Sequence, residues 1–451
     1  MARASSLGQI RFGLGPRPGH APALDAAALI ADLDRPDPAA NITPFAVRLE
    51  RAAARAELRR AQRSGAMADT LAEREAINRA EVRDSQADLR AQLARMVAAP
   101  VGFRERLVAF WANHFAADSR GGHFRFARAS YVEDAIRPHI ATDFATLLRA
   151  AVTHPVMQGY LNQNVSVGPF SLLGRRTGRG LNENLARELL ELHTLGAQAG
   201  YSQADVTQMA RLLTGITFDL EQGYFFDARI AEPGLIEIFG KRYGGRPVME
   251  RHVFEALDDL ALRPETAAHL AGKLARHFLA DDPDAGLVAH MQARYLETGG
   301  NLRALHAAML EHPMMWQPPL RKTRAPIAWM AASLRATGTA PDDILALSGR
   351  DTQRLLRRPL QAMGAAWETV PSPAGYDDSA RAWITAQALA ARMSWAMGLA
   401  GRLPRTPDPS DFVTTAMGDM ASPALLRVVR GAETRAQAVG IILSSPDFNR
   451  C

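Results

Sequence analysis

The residues best suited to chemistry fall in three segments. The first reads Phe110-Trp111-Ala112-Asn113-His114-Phe115. At helical spacing Leu107, Phe110, Trp111 and His114 share one stripe, so His114 sits on the apolar face with Asn113 one step off it. A buried imidazole must find a hydrogen-bond partner. His114 is therefore either a satisfied core histidine or an acid/base, metal ligand or cofactor ligand in a dry site.

The second segment runs from Asn182 to Gly196, with Asn182 suited to an N-cap and Gly196 to a C-terminal stop. On a helix Glu183, Arg187 and Glu191 line one face, with Asn184 and Glu188 alongside. Leu185, Leu189, Leu192 and His193 fall on the opposite arc. On a surface this is an ordinary ladder of charge pairs. In a central helix the same residues form a buried network, with Glu188 and Glu191 as carboxylate ligands or bases and Arg187 as an anion clamp. The helix cannot bring Glu191 and His193 to one metal, and it lacks the Glu-x-x-His pair of dimetal bundles. A metal site would draw on His114, Glu188 and Glu191; the identity of any cofactor is not encoded.

The third segment, Gly174 to Gly180, carries Arg175, Arg176 and Arg179. As a loop entering the next helix, it has the backbone N–H groups and guanidinium groups to hold an anion, with Asn113 and Asn184 as further polar contacts. The other reading is a flexible surface loop. It lacks the Lys-Ser/Thr ending of a phosphate loop. Ser202 and Asp205 have the spacing of a capping box, which accounts for both. No His-Glu-x-x-His, cysteine cluster or Gly-x-Ser-x-Gly occurs. The pairs His269/His277 and His306/His312 lack zinc spacing.

The elements that must position these residues are helical. Ala-, Leu- and Arg-rich segments with helical periodicity alternate with Pro and Gly punctuation. Residues 44–98 stand apart as a helical-hairpin arm. There Arg48, Arg51, Arg55 and Arg59 form a basic stripe, and the second helix has sparse apolar positions. The arm reads as a solvated helix pair laced by ion pairs, or as a docking arm for a protein partner. Residues 216–245 carry β-branched and aromatic residues between Gly turns and read as a short β excursion. Three sites, at His154-Pro155, His312-Pro313 and Ser445-Pro446, share the chemistry of a helix stopped by Pro.

The chain has 451 residues, of which 47% are hydrophobic and 22% charged, as in a folded globular protein. The formal charge is +6, but only three basic residues are Lys (Lys241, Lys273 and Lys322). Such an Arg-for-Lys balance reflects coding bias better than a nucleic-acid partner. Cys451 is the single cysteine, so no intrachain disulfide forms. The first residues lack the apolar core of a secretory signal, which points to the cytoplasm. No stretch is long and apolar enough for a transmembrane segment.

Several segments in order resemble the large bacterial domain-of-unknown-function family 1800. They are RFGLGPRPG at 11–19, FWANHF at 110–115, NENLARELLELHTLG at 182–196, YSQADVTQMARLLTG at 201–215 and RAWITAQALAARMSWA at 381–396. The resemblance implies a mainly helical bacterial protein and names no reaction. It also implies a phosphatase- or sulfatase-like partner, since genes of such proteins (family 1501) often lie beside those of this family. The chain departs from the pattern at four places. Ala112 stands where the family has His, and His193 where it often has Phe. Ala231-Glu232-Pro233-Gly234 stands for a His-Asp-x-Gly motif, and Tyr376 for the Trp of Gly-Trp. Asn113, His114, Glu183, Asn184, Arg187, Glu188 and Glu191 persist.

The expected fold is all-α, a large multi-helix domain. Its parts are an N-terminal segment 1–43, the arm 44–98, a central core 99–215, the β excursion 216–245 and a C-terminal helical part 246–451. Two functions are expected from different classes. One is a non-catalytic scaffold or maturation partner docking through the arm. The other is an enzyme with an interior His/Glu/Arg site, possible with or without a metal. Oligomeric state is not encoded.

Overall fold

Helix formation follows from local capping. Asp143, Ser202, Asn301, Thr385, Ser422 and Thr434 each accept a backbone N–H two or three residues into the helix that follows. Ser202 and Asp205 close the capping box reciprocally. At His154, His312 and Ser445 one helix ends, and the Pro that follows begins the next. The repeated stop is thus also a start, since the fixed φ of Pro suits a first helical position.

The computed structural model describes residues 2–19, 24–36, 40–63, 67–119 and 123–451. Among these the fold is helical, with two small antiparallel hairpins in the mid-chain excursion. Strand β1 (Ile216–Asp219) pairs with β2 (Gly223–Phe226), and β3 (Gly234–Ile238) with β4 (Lys241–Gly245). The second hairpin turns on Phe239 and Gly240, both at positive φ. No described helix is long and apolar enough to cross a membrane.

The arm consists of helices Phe45–Arg63 and Met67–Ala98, with the turn at 64–66 outside the described residues. Its arginine stripe turns inward at Arg48 and Arg55, is half-buried at Arg51 and faces solvent only at Arg59. Arg48 pairs with Asp88, Arg51 with Asp84 and Arg55 with Glu81 across the two helices. Arg48, Asp88 and Glu81 are fully buried. The far end of the second helix, with Leu89, Leu93, Met96 and Val97, enters a hydrophobic core.

Two cores organise the molecule. The first gathers apolar residues between Phe12 and Met315, and the second joins Leu7–Leu14 and the end of the arm to residues 320–451. Buried arginines tie distant segments together through main-chain carbonyls. Arg335 donates to the carbonyls of Gly15 (3.0 Å), Val97 (2.9 Å) and Ala99 (2.5 Å). Arg11 donates to those of Met315 (2.6 Å), Gln317 and Pro319 (both 3.0 Å).

Among the described residues three helices carry π turns, at Val132–Ile136, Leu189–His193 and Gln353–Arg357. Such turns are rare and often mark functional places. The first lies beside the cavity described below.

Candidate functional site

The helix Phe103–His114 delivers His114 into the first core, where it is 1% exposed. Its Nε2 lies 3.1 Å from the His193 carbonyl oxygen, and a carbonyl only accepts, so Nε2 carries the proton. The reason for the contact is the π turn at Leu189–His193. Breaking the α ladder frees carbonyls, and each finds a side chain. The Leu189 oxygen accepts from the Thr194 hydroxyl (2.7 Å), Leu192 from His269 Nε2 (3.0 Å) and His193 from His114. His114 and His269 therefore act as caps for a helix end.

This basic interior disfavours positive charge. Burial drives His114 well below its ordinary pKa, with Lys273, His193 and His269 adding to the effect. Burial lowers His193 to about 3 and His269 to about 4, and nearby Lys273 adds to both. Burial likewise pushes Lys273 down to about 8.

The charged face of the next helix lies elsewhere. Arg187 pairs with Glu183 (3.1 Å) and Gln203 (3.0 Å) near the surface. Glu183 also accepts from Thr207 (2.7 Å). Glu191 accepts from the Tyr201 hydroxyl at 3.4 Å. The Glu188 carboxyl is raised, first by burial and then by Glu191. Asn184 is exposed, and its amide N–H is taken by Asn182 Oδ1 at 2.9 Å. The groups that act on His114 are Lys273, His193 and His269, and those that act on Glu188 are Glu191 and Arg187. Among the described residues no cluster of three or more His, Cys, Asp or Glu is arranged to hold a metal. Residues Leu172–Thr177 form a short helix ending at Gly178, so Arg175 and Arg176 stand on an exposed helical turn instead of a loop. Arg179 is also exposed and donates to the Val165 carbonyl at 3.1 Å.

Asn113 leads to a different place. Its amide pairs with the backbone of Tyr376, donating to the carbonyl (3.0 Å) and accepting from the N–H (2.8 Å). Gly375 is at φ 77°, and a Cβ there would lie 2.5 Å from the Asn113 carbonyl oxygen, so only glycine fits this clasp. The clasp holds the segment 365–383 against the helix end and walls off a cavity of about 150 Å³. Trp367 anchors the same segment by donating to the Ser85 carbonyl at 3.1 Å. The walls are mostly apolar, from Val108, Ala112, Val132, Ile327 and Leu360 with Trp367 and Trp383. Ala112 and Tyr376, two of the departures from the family pattern, both line it.

The polar groups at this cavity are few and specific. Glu368 is 3% exposed and sits at φ 66°, a left-handed conformation that costs a non-glycine residue about 1–3 kcal/mol. Its Oε2 accepts from the Arg128 N–H (2.9 Å) and the Ser119 hydroxyl (3.2 Å), while Oε1 is buried without a partner. Burial, then Asp88, raises its pKa against the pull of Arg128 and Arg48. Trp383 Nε1 and Arg128 Nε are also buried and unpartnered. His277 and Asp378 close one side, with Nδ1 3.0 Å from the carboxylate. Because Arg106 only donates, its approach at 3.4 Å makes Nε2 the acceptor and places the His277 proton on Nδ1. Lys322 ties Asp378 to Asp281, so this dyad is fully engaged.

Of the predicted site residues, only Asn113 borders this cavity. Glu368, Trp383, Arg128 and Asp378 went unmarked in the sequence. The one available signal was Gly375-Tyr376, a motif position with no local periodicity to explain it. No curated protein and no solved structure matches this chain. The model of the family described as a protein of unknown function, DUF1800, matches residues 9–450, nearly everything described above, and the chain belongs to that family.

Proposed function

We propose that this protein binds a small molecule in the cavity between the Phe103–His114 helix and the 365–383 segment. The observation that carries this reading is Glu368. A fully buried carboxyl with one free oxygen, held in a strained backbone conformation, is costly unless something repays it. The mostly apolar lining with a few convergent polar groups is the usual make-up of a ligand site. On this reading the interior polar site of the enzyme alternative centres on Glu368, whose pKa burial raises, the direction a general acid needs. His114, Glu188, Glu191 and Arg187 then serve the architecture.

The test is a thermal-shift screen of small molecules on wild type and Ala112→Leu, which fills the cavity. Compounds that stabilise the wild type and lose their effect in the variant support the reading. Hits that stabilise both equally overturn it.

The scaffold reading keeps one specific observation in its favour. Between the two arm helices runs an apolar groove of about 450 Å³, lined by Ala54, Leu58, Ala61 and Ile77 and flanked by Glu57 and Glu73. Leu71, 51% exposed, continues the arm's apolar surface. A protein partner docking there, of the phosphatase- or sulfatase-like class, would lose affinity in Leu58→Asp. Unchanged co-purification of such a co-expressed partner with that variant would remove the arm from the interface.

A further inference from the structure

We propose that the cavity takes a planar single-ring molecule bearing a carboxylate, an inference that rests on the small-molecule reading above and names its ligand class. Size sets the first limit, since a cavity of about 150 Å³ matches one six-membered ring. The walls set the second. Trp367, Tyr376 and Trp383 all contribute, and the Tyr376 and Trp383 rings lie 5.6 Å apart at 45°. Flat faces of this kind favour a flat partner.

The unpartnered polar atoms set the third limit. Trp383 Nε1 and Arg128 Nε carry hydrogen and cannot accept, so a ligand must offer acceptors to satisfy them. Trp383 is 5% exposed and Glu368 3%, so neither group has recourse to bulk solvent. Glu368 Oε1 supplies a third contact, as a donor when the carboxyl is neutral. Arg128 gives the site a positive charge. The other acid at the cavity, Asp378, is already committed to His277 and Lys322. No carboxylate is left to receive an ammonium group, whereas guanidinium and indole N–H together suit an anionic oxygen pair.

The experiment is calorimetric titration of the full chain with four one-ring probes: benzoate, benzamide, benzylamine and toluene. Benzoate is expected to bind tightest, benzamide more weakly, and benzylamine not at all. Trp383→Phe removes the indole donor while leaving no new unpaired group, so the fold is retained. It is expected to weaken benzoate about tenfold, the loss of one hydrogen bond to a charged group, and to leave toluene unchanged. Benzylamine or toluene binding as tightly as benzoate would overturn the carboxylate class while leaving the cavity as a binding site. Failure of all four probes would overturn both this inference and the reading beneath it.

Discussion

An imidazole buried in a dry core resists a second proton, because burial penalises its charged form. That places a measurable burden on the fold. His193 and His306 are buried, with pKa lowered to about 3, and His269 to about 4, against about 6.5 in an unfolded chain. Between those values the unfolded chain binds more protons than the native one, so stability falls as pH drops below about 6.5. Each such histidine contributes about 1.4 kcal/mol per pH unit. Urea melts at pH 7.5, 6.0 and 5.0 should show the midpoint falling steeply between the last two. His114→Ala should cost about 1–3 kcal/mol by leaving the His193 carbonyl unpaired. Asn113→Ala should release the Tyr376 amide, seen as its lost protection in hydrogen exchange. The burial of His114 was legible because it shares a helical stripe with Leu107 and Trp111. Glu368 was not, since its partners Arg128 and Ser119 lie 240 and 249 residues away. No local pattern encodes such a meeting.

At the scale of elements, the arm shows what periodicity can and cannot say. The arginines at 48, 51 and 55 were readable as a stripe, and the acids at 81, 84 and 88 have compatible intervals in the second helix. Pairing the two sets antiparallel turns an apparent solvent face into a buried seam. Asp88 also accepts from both the N–H and hydroxyl of Thr43, each at 2.8 Å. Asp88→Ala should therefore destabilise by about 3–5 kcal/mol in chemical denaturation, since it strands a buried Arg48. Changing Arg48 to Met and Asp88 to Leu together should recover part of that loss and not all, because Thr43 stays unpaired. The helix at 184–193 was legible in position, but a uniform turn of 100° per residue fails at its π turn. That failure hid the carbonyls that claim His114 and His269.

For the molecule as a whole, the excess of Arg over Lys has a structural use beyond composition. Arg11, Arg324, Arg335 and Arg392 are buried and collect carbonyl oxygens. A guanidinium offers five donors in a fixed plane, which an ammonium group does not. Arg335→Lys should thus fail to rescue the fold. It should cost about 3 kcal/mol or more, read as a lower melting temperature in calorimetry. The all-helical class was plain from the sequence, but the division into two cores was not, because it is set by contacts between distant segments. That division has a consequence for synthesis. Every residue of the first core precedes position 316, so it can close while the ribosome is still translating the rest. The second core draws on residues 7–14 and on residues 320–451, and its opening segment must wait, apolar and uncovered, until those later residues have been made.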